Sequence, residues 1–370
     1  MIMKFNFLKP VQKKILIFDN SHSKILKSFF KGSENEVDIL YTRYEKINLY
    51  VLLMVLIKLK PFKNISYLQQ YVDYVKPKII ITMIDNDRNF YRLKFPNAKK
   101  IFIQNGRRTK LELYNDTLHS RKSYNVDRRF VHNDLVGKEY KKIIKGKTCS
   151  VGSVYSNTKK ILKKNKKKKE LIYVSTFRTS YLDEKSKIYN NIKWKDYIRG
   201  EIKLLKALNK FLTKNDYKLT ILGKYNYPQF IDEKSFFLKY FDKKKIKILK
   251  NFPTRNHFKY IDLATLIIGN DSTLCYEAFG RGNKVLFFGI RGKSNYLKSR
   301  NFAYPLKTPD KSIFWDNTLK FDNINKSIKD LINMPSNKWQ KYFQRYKNSV
   351  MHYDYDNYKI KKYINEIKIS

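Results

Sequence analysis

The sequence predicts an α/β protein with two Rossmann-like domains, each built around a parallel sheet. Short apolar runs alternate with segments of helical periodicity along the 370-residue chain, as βαβ units require. Residues 79–84 form a continuous run rich in β-branched side chains, which is typical of parallel strands covered on both faces. A Lys-dominated stretch at residues 158–170 separates two such series, and the chain is long enough for two cores.

In the first series, the helix at residues 67–75 stops at Lys76-Pro77, because the residue before a proline disfavours helical geometry. We predict strands at residues 14–18, 37–41, 79–84, 100–103 and 129–131, and helices at residues 49–60, 67–75 and 137–145.

The second series repeats the alternation. At residues 198–212, Ile202, Leu205, Leu208 and Leu212 recur on one face of an amphipathic helix. We predict strands at residues 171–174, 218–222, 246–249 and 285–288, a further buried strand at the start of residues 266–289, and a helical tail at residues 339–369.

These elements divide the chain into four segments. Residues 1–157 form the predicted first domain, and residues 158–170 an exposed Lys-rich loop or linker. Residues 171–338 form the second domain, and residues 339–370 a C-terminal helix that crosses back to the first. We expect the two domains to face each other across a cleft.

The formal net charge of +47 first suggests a nucleic-acid-binding protein. The excess is mostly Lys, however, and it accompanies abundant Asn, Ile, Tyr and Phe, whose codons are A/T-rich. The basic residues are also spread along the whole chain and do not form one basic arm. We therefore favour attraction to an anionic membrane face or to acidic substrates over nucleic acid. A solvated basic surface without a partner stays open as the alternative.

Cysteine content and hydropathy bear on location. Cys149 and Cys275 give neither a disulfide framework nor metal-site spacing, so we predict no metal and a reducing cytoplasm. The N-terminal residues lack the pattern of a signal peptide. The longest apolar run, at residues 47–57, is too short to span a bilayer. We predict a buried or amphipathic helix there, with a surface helix that touches lipid as the alternative.

Residues 266–289 carry the clearest functional signal: a buried strand, a polar turn, a short helix, a glycine turn and a second buried strand. Asp271 or Ser272 is the predicted N-cap, and the hydroxyl and N–H groups of Ser272 and Thr273 would face an anion. Glu277 follows Thr273 by one helical turn, where a carboxylate could accept both hydroxyls of a ribose. An ordinary capped helix is the alternative.

In the first domain, polar residues follow predicted strands at their carboxyl ends, where open α/β sheets bind ligands. Asp85 is the first candidate for a general base that takes the proton from an acceptor hydroxyl. Asp19 and His22 hold the equivalent position after an earlier strand, and Asp87 and Arg107 are nearby candidates. A loop-capping role is the alternative for each Asp, because Asp-Asn favours turns.

Residues 266–289 resemble the donor-nucleotide motif of GT-B-fold proteins, which include surface-polysaccharide glycosyltransferases, capsule Kdo transferases and CDP-glycerol polymer transferases. The wider pattern is most similar to surface carbohydrate (lipopolysaccharide or capsule) biosynthesis proteins. It is carried by residues 76–87, 90–91, 103–107, 151–153 and 173–178. The resemblance covers most of the chain and implies a GT-B-like fold.

The resemblance also implies how the sites are composed. Ser272, Thr273 and Glu277 would hold the phosphates and ribose of the donor, and His257 could approach the base ring. The expected donor-side residues are Ser175, Thr176, Arg178, Gly223, Lys224, His257, Asp271, Ser272, Thr273 and Glu277. The expected acceptor-side residues are Asp87, Gln104, Asn105 and Arg107.

The implied function is the transfer of a sugar or related group from a nucleotide-activated donor to a glycan or lipid-linked acceptor. Fixed cations would stabilise the diphosphate leaving group, without a metal or another cofactor. We expect the protein in the cytoplasm, or peripherally at the inner face of the cytoplasmic membrane.

Two alternative functions stay open. A UDP-sugar 2-epimerase shares the fold, but residues 19–22 replace that family's Gly-Thr-Arg-type loop, and Glu277 stands without a tandem partner. The second alternative is a non-catalytic basic protein that binds nucleic acid.

Overall fold

The computed structural model describes residues 3–61, 63–109, 124–162, 169–182, 187–188, 192–251, 257–289, 301–318, 320 and 323–369. The chain divides into two compact units. The first unit contains Met1–Val154 and Asn357–Ser370, and the second contains Tyr155–Asp356.

The first unit is built on a parallel sheet. Its strands are β1 (Lys4–Asn6), β2 (Ile15–Phe18), β3 (Val37–Leu40), β4 (Lys46–Asn48), β5 (Ile79–Thr82), β6 (Lys99–Ile103), β7 (Tyr124–Val131) and β8 (Ile144–Ser150). Its first helices are α1 (Ser23–Lys27), α2 (Leu49–Ile57), α3 (Asn64–Val75), α4 (Arg88–Arg92) and α5 (Asp134–Lys141). Six strands pair in the order β3-β2-β5-β6-β7-β8, all in parallel, whereas β1 pairs with β4 in a separate two-stranded sheet.

Strands β2 and β5 are buried along their whole length, as their continuous apolar sequences predict. Leu16 and Ile80 on these strands join one core cluster with Leu68 and Val72 of α3. Fully burying a side chain of this kind contributes about 1.5–3 kcal/mol, so this layer fixes the carboxyl edge of the sheet.

The sequence missed strand β8. It predicts a helix over residues 137–145, but α5 ends at Lys141 and an edge strand follows. This strand is mostly polar, so no apolar run marks it. The buried Arg129 guanidinium holds it instead, by donating to the Ile144 and Gly146 carbonyl oxygens and to Thr148 Oγ1 at 2.5 Å.

The second unit contains a larger sheet. Its strands are β9 (Glu170–Val174), β10 (Lys187–Ile188), β11 (Ile192–Lys193), β12 (Lys218–Leu222), β13 (Ile246–Leu249), β14 (Leu266–Gly269), β15 (Val285–Phe288), β16 (Lys311–Ser312) and β17 (Trp315–Asp316). The helices that follow in the chain are α6 (Val154–Asn157), α7 (Trp194–Lys214), α8 (Gln229–Leu238), α9 (His257–Leu263), α10 (Thr273–Gly280), α11 (Ile324–Asn333) and α12 (Ser336–Val350). Seven strands pair in the order β13-β12-β9-β14-β15-β17-β16, and only the β16–β17 pair is antiparallel.

The single C-terminal helix predicted for residues 339–370 is instead two helices in two units. Trp339 of α12 is buried against Phe279 and Phe314, with ring centroids 5.9 and 5.5 Å apart, so this helix belongs to the second core. A second helix, α13 (Tyr358–Ile369), belongs to the first unit, where Tyr363 packs against Phe130.

A buried ion pair fixes the beginning of the second unit. Arg281 Nε and Nη2 donate to the Asp262 carboxylate at 2.9 and 2.5 Å, and both side chains are almost fully buried. The remaining Arg281 donors bind the carbonyl oxygens of Ser156, Lys159 and Lys160 at 2.9–3.1 Å. Arg281, which lies between Gly280 and Gly282, therefore holds Lys159 and Lys160 of the predicted Lys-rich linker against the second unit.

Helix α2 differs from the predicted buried or amphipathic helix. Its nine residues include no charged side chain, yet only Val51 and Val55 are buried. No helix in the described part of the chain is both long enough and apolar enough to cross a bilayer.

Gly146 generates a prediction about β8. Its φ is +129°, and an added Cβ would lie 1.9 Å from the Val126 carbonyl oxygen, opposite the irregular register of β7. We expect Gly146→Ala to lower the free energy of unfolding by about 3 kcal/mol, because a backbone clash adds to the left-handed strain. Urea denaturation followed by circular dichroism measures this.

The matched control is Gly32→Ala, because Gly32 also has a positive φ of 78° but has open space around the Cβ position. It should cost only the strain of about 1–2 kcal/mol. Equal losses for the two variants would contradict the steric account.

Candidate functional site

The carboxyl edge of the second sheet brings most predicted donor-side residues together. Strands β12, β9 and β14 are neighbours and parallel, so the loops that follow them share one edge. Ser175, Thr176 and Arg178 follow β9. The loop after β12 begins at Gly223 and Lys224, and the loop after β14 contains residues 270–272, which lead into α10.

Glu233 of α8, which sequence reasoning missed, ties two of these loops together. It is fully buried and accepts from Ser175 Oγ at 2.5 Å, from Lys224 N at 2.9 Å and from Tyr225 N at 3.0 Å. A Cβ on Gly223 would lie 2.6 Å from the Leu249 carbonyl oxygen and 3.0 Å from Glu233 Oε2. Ser175 and Gly223 therefore position the loops through contacts inside the protein.

Glu201 and Asn270 join the β9 loop to the β14 loop. Glu201 is fully buried and accepts from Tyr173 Oη at 2.7 Å and from Thr176 Oγ1 at 3.4 Å. Asn270 Nδ2 donates to Thr176 Oγ1 at 2.8 Å. Asn270 Oδ1 is buried and has no hydrogen-bond partner among the residues that the structure describes, so this edge retains an unused acceptor.

Helix α10 begins where the sequence predicts an anion site. Ser272 is its N-cap, and its hydroxyl makes no capping hydrogen bond within the described residues. Asp271, Ser272 and Thr273 are half-buried, whereas Glu277 is buried. The first turn contains no acidic residue, and the carboxylate of Asp271 directly precedes the N-cap at the positive end of the helix.

Carboxylates and cations surround this edge. Burial and the charges of Asp271 and Glu277 raise the pKa of the Cys275 thiol, which places both carboxylates near that buried side chain. Burial raises the pKa of Tyr225, and the neighbouring Arg178 charge opposes this. Lys224 Nζ lies 3.3 Å from Tyr225 Oη. The positive charges of Lys224 and Arg178 therefore both lie near the Tyr225 ring.

His257 opens α9 and is buried. The connection from β13 through α9 to β14 places this residue on the carboxyl side of the sheet, because β13 and β14 are both parallel to their neighbours.

In the first unit, Asp85 is an anchor within the protein. It follows β5 and is fully buried. Arg108 Nε donates to Asp85 Oδ2 at 2.9 Å, Arg108 Nη2 donates to Oδ1, and the Tyr140 hydroxyl donates to Oδ2. Both carboxylate oxygens are therefore used, and this geometry favours a positioning role over the general base expected from the sequence. Arg108, one residue beyond the predicted Arg107, is the arginine in this pair.

Gln104 and His132 extend the buried cluster. The Gln104 side chain accepts from His132 N at 2.9 Å and donates to the Gly106 carbonyl at 2.8 Å, so it holds its own loop. The neighbouring Asn105 N lies 3.5 Å from Asp85 Oδ1. His132 Nε2 is buried without a hydrogen-bond partner among the described residues. Burial lowers the pKa of His132 to about 4, against the attraction of Asp85, so the ring is neutral near pH 7.

The loops after β2 and β3 meet at Asp19. This buried carboxylate accepts from Ser21 N at 2.7 Å and Thr42 Oγ1 at 2.6 Å, and it pairs with Arg43 Nε at 3.0 Å. Burial raises the pKa of Asp19, but these contacts outweigh it and the net pKa is lowered. His22 lies in the same loop and is half-buried.

Asp87 is the more accessible carboxylate of this edge. It is half-buried, and its Oδ1 caps α4 by accepting from Asn89 N at 2.8 Å. Its Oδ2 accepts no hydrogen bond from the described residues. Burial raises the pKa of Asp87 and outweighs the Asn89 hydrogen bond, while the nearby Asp19 raises it further. A raised pKa and an unused oxygen are properties of a general base.

No group of three or more His, Cys, Asp or Glu side chains in the described ranges is arranged to hold a metal ion. The expected metal independence stays a prediction.

Comparisons with known proteins identify relatives of this chain. A family model described as "putative O-antigen biosynthesis protein" matches residues 101–368. No curated protein matches the sequence significantly. The wall teichoic acid polymerase TagF is structurally similar, with a TM-score of 0.55 at 11% identity over 97% of this chain and 90% of TagF. A UDP-N-acetylglucosamine 2-epimerase has a TM-score of 0.51 at 12% identity over 97% of this chain and 96% of the epimerase.

A third structure, TarM, has a TM-score of 0.45 at 14% identity, and the similarity covers 83% of this chain and 59% of TarM. The similarities to TagF and the epimerase extend over nearly the whole chain and confirm the predicted GT-B-like α/β fold. The family match confirms the predicted resemblance to surface carbohydrate biosynthesis proteins.

Glu233 generates a prediction about the second unit. We expect Glu233→Gln to lower the free energy of unfolding by about 2 kcal/mol, because an amide cannot accept all the hydrogen bonds that the buried carboxylate accepts. Urea denaturation followed by tryptophan fluorescence measures this, since Trp194, Trp315 and Trp339 all lie in the second unit. The control is Asp232→Asn, which makes the same change at the adjacent exposed position. An equal effect at both positions would rule out the anchoring role.

His132 generates a prediction about pH. Its pKa is lowered from 6.5 to about 4 in the folded protein, so the unfolded chain binds the proton more tightly. The contribution of neutral His132 to the free energy of unfolding is therefore fully present above about pH 6.5. It decreases as the pH falls toward about 4. Over that window the wild type should lose about 3 kcal/mol more than His132→Gln, measured by urea denaturation with circular dichroism. Identical pH dependence in the two proteins would refute the prediction.

Proposed function

Because the chain belongs to the family described as putative O-antigen biosynthesis proteins, we propose that it is a glycosyltransferase of surface polysaccharide biosynthesis. It transfers a sugar or related group from a nucleotide-activated donor to a glycan or lipid-linked acceptor. The proposal includes a cytoplasmic location, in keeping with two cysteines that form no disulfide.

The observation that carries the proposal is the composition of the second sheet's carboxyl edge. The start of α10 offers backbone N–H groups of a helix N-terminus and the half-buried hydroxyls of Ser272 and Thr273. Hydrogen bonds connect this loop to the loops that hold Arg178 and Lys224, through Asn270–Thr176 and through Glu233. A helix N-terminus with cations nearby suits a diphosphate.

The charges of this edge suit a leaving group better than a neutral ligand. Departure of a sugar from its nucleotide leaves negative charge on the diphosphate, and fixed cations lower the energy of that state. Asp271 and Glu277 would repel a bare phosphate, so Arg178 and Lys224 are needed beside it. We assign Glu277 to the ribose hydroxyls, which donate to a carboxylate.

On the acceptor side, we assign the general base to Asp87 in place of Asp85. Asp87 has an unused oxygen among the described residues and a raised pKa, whereas both oxygens of Asp85 are occupied. Asp85 holds Arg108 and Tyr140 in place, and Gln104 shapes the loop that carries Asn105 and Arg107.

The epimerase alternative has one observation in its favour, the similarity to a UDP-N-acetylglucosamine 2-epimerase over nearly the whole chain. Conversion of a free UDP-sugar in the absence of an acceptor would identify an epimerase. Binding of duplex DNA or RNA with a steep salt dependence, and no affinity for nucleotides, would identify the nucleic-acid-binding alternative.

Glu277 provides the test of the donor site. We expect Glu277→Gln to weaken nucleotide binding by about tenfold to a hundredfold, because it removes the charge from hydrogen bonds worth about 1.5–3 kcal/mol. Isothermal titration calorimetry with UDP, CDP and CMP compounds measures the affinity. The control is Glu366→Gln, an exposed position in the first unit. Unchanged affinity of the Glu277 variant, for whichever nucleotide the wild type binds, would contradict the assignment.

A further inference from the structure

Helix α2 exposes apolar side chains that no element of the described residues covers. Leu53, Leu56 and Ile57 are each more than half exposed, and Leu59 just after the helix is 92% exposed. A surface helix of a globular protein normally carries charged residues on its outer face, and α2 carries none. An uncovered apolar face of this kind marks an interaction site.

The N-terminal segment lies beside this helix and exposes further apolar side chains. Strand β1 pairs with β4 in a register that places Phe5 beside Ile47, and Asn48 at the start of α2 donates to the Leu8 carbonyl at 2.9 Å. Phe7 and Leu8 are both at least 70% exposed. We call the combined set the apolar surface; its members are Met3, Phe5, Phe7, Leu8, Val11, Leu53, Leu56, Ile57 and Leu59.

Lysines border the apolar surface. Lys9 and Lys58 both lie over the Tyr74 ring, at 5.4 and 5.9 Å from its centroid, which brings the N-terminal segment and the end of α2 together. Lys60 Nζ lies 3.8 Å from Asp73, which offsets part of the charge. Further exposed lysines of this border are Lys4, Lys46 and Lys63.

A cavity of about 320 Å³ opens beside the apolar surface. Its walls are mostly apolar, and a lysine and an asparagine supply polar groups. The lining residues are Tyr44, Ile47, Leu52, Val55, Lys63, Asn64 and Tyr67. An apolar chain with an anionic head group fits this combination.

We propose that the apolar surface docks on an anionic phospholipid bilayer, with the lysine border facing lipid phosphates. Charge complementarity selects this occupant, because the exposed lysines Lys4, Lys9, Lys46, Lys58 and Lys63 border the apolar surface. A second copy of the chain would bring one lysine border against another. Apolar side chains in the interfacial region together with basic residues around them are the combination that holds a protein on an anionic membrane.

Vesicle flotation of the whole chain tests the proposal. The wild type should bind phosphatidylcholine vesicles containing phosphatidylglycerol, and bind pure phosphatidylcholine vesicles weakly. The double variant Leu56→Ser with Ile57→Ser should reduce binding to the anionic vesicles by about tenfold or more. Both positions are exposed, and circular dichroism confirms that the variant is folded.

The matched control is Ile231→Ser on α8, because Ile231 is 57% exposed and Ile57 is 61% exposed. Equal binding by the wild type and the double variant would overturn the proposal and assign binding to diffuse charge. Equal binding to both vesicle types would overturn the anionic selection. A concentration-dependent dimer that the double variant loses, without vesicle binding, would identify a second copy as the occupant. The experiment contains no nucleotide, so its outcome is independent of the proposed transferase function.

Discussion

A carboxylate that leaves water must be paired or fully hydrogen-bonded, and this constraint organises the loop edges of both sheets. In the second unit, the buried Glu233 carboxylate accepts hydrogen bonds from the Ser175 hydroxyl and from backbone N–H groups of the neighbouring loop. In the first unit, the buried Asp85 is held by Arg108 and Tyr140. Each carboxylate joins segments that are distant in sequence, so the loop geometry follows from its hydrogen bonds.

The same constraint separates the groups that hold the loops from those that remain for a ligand. Ser175 and Gln104 were expected to contact ligands, but their polar atoms bind within the protein. Asp87 and Ser272 lie on the same edges and are half-buried, with capacity that the described residues do not use. Rigid buried carboxylates thus position a smaller set of accessible groups, which is how a preorganised site is built.

Strands such as β5 and β14 could be predicted from the sequence because their signal is local: an apolar run is buried wherever the sheet forms. Strand β8 could not, because a polar edge strand depends on Arg129 from its neighbour. Glu233 carries no local signal either, since its partner Ser175 lies 58 residues away. The carboxyl-edge positions of the candidate residues were predictable from topology, but their hydrogen-bond partners were not.

The composition of the chain gives the size of its basic charge, whereas side-chain exposure shows where a binding surface lies. Lysines spread along the whole chain produce a large net charge without specifying any surface, so +47 alone does not identify a partner. Periodicity in α2 also fails to show whether its apolar residues are buried, because a continuous apolar run reads the same on every face. Only tertiary structure shows Leu53 and Ile57 exposed next to Lys58. The apolar side chains therefore identify which part of the basic surface contacts a membrane, because burying them there removes apolar area from water.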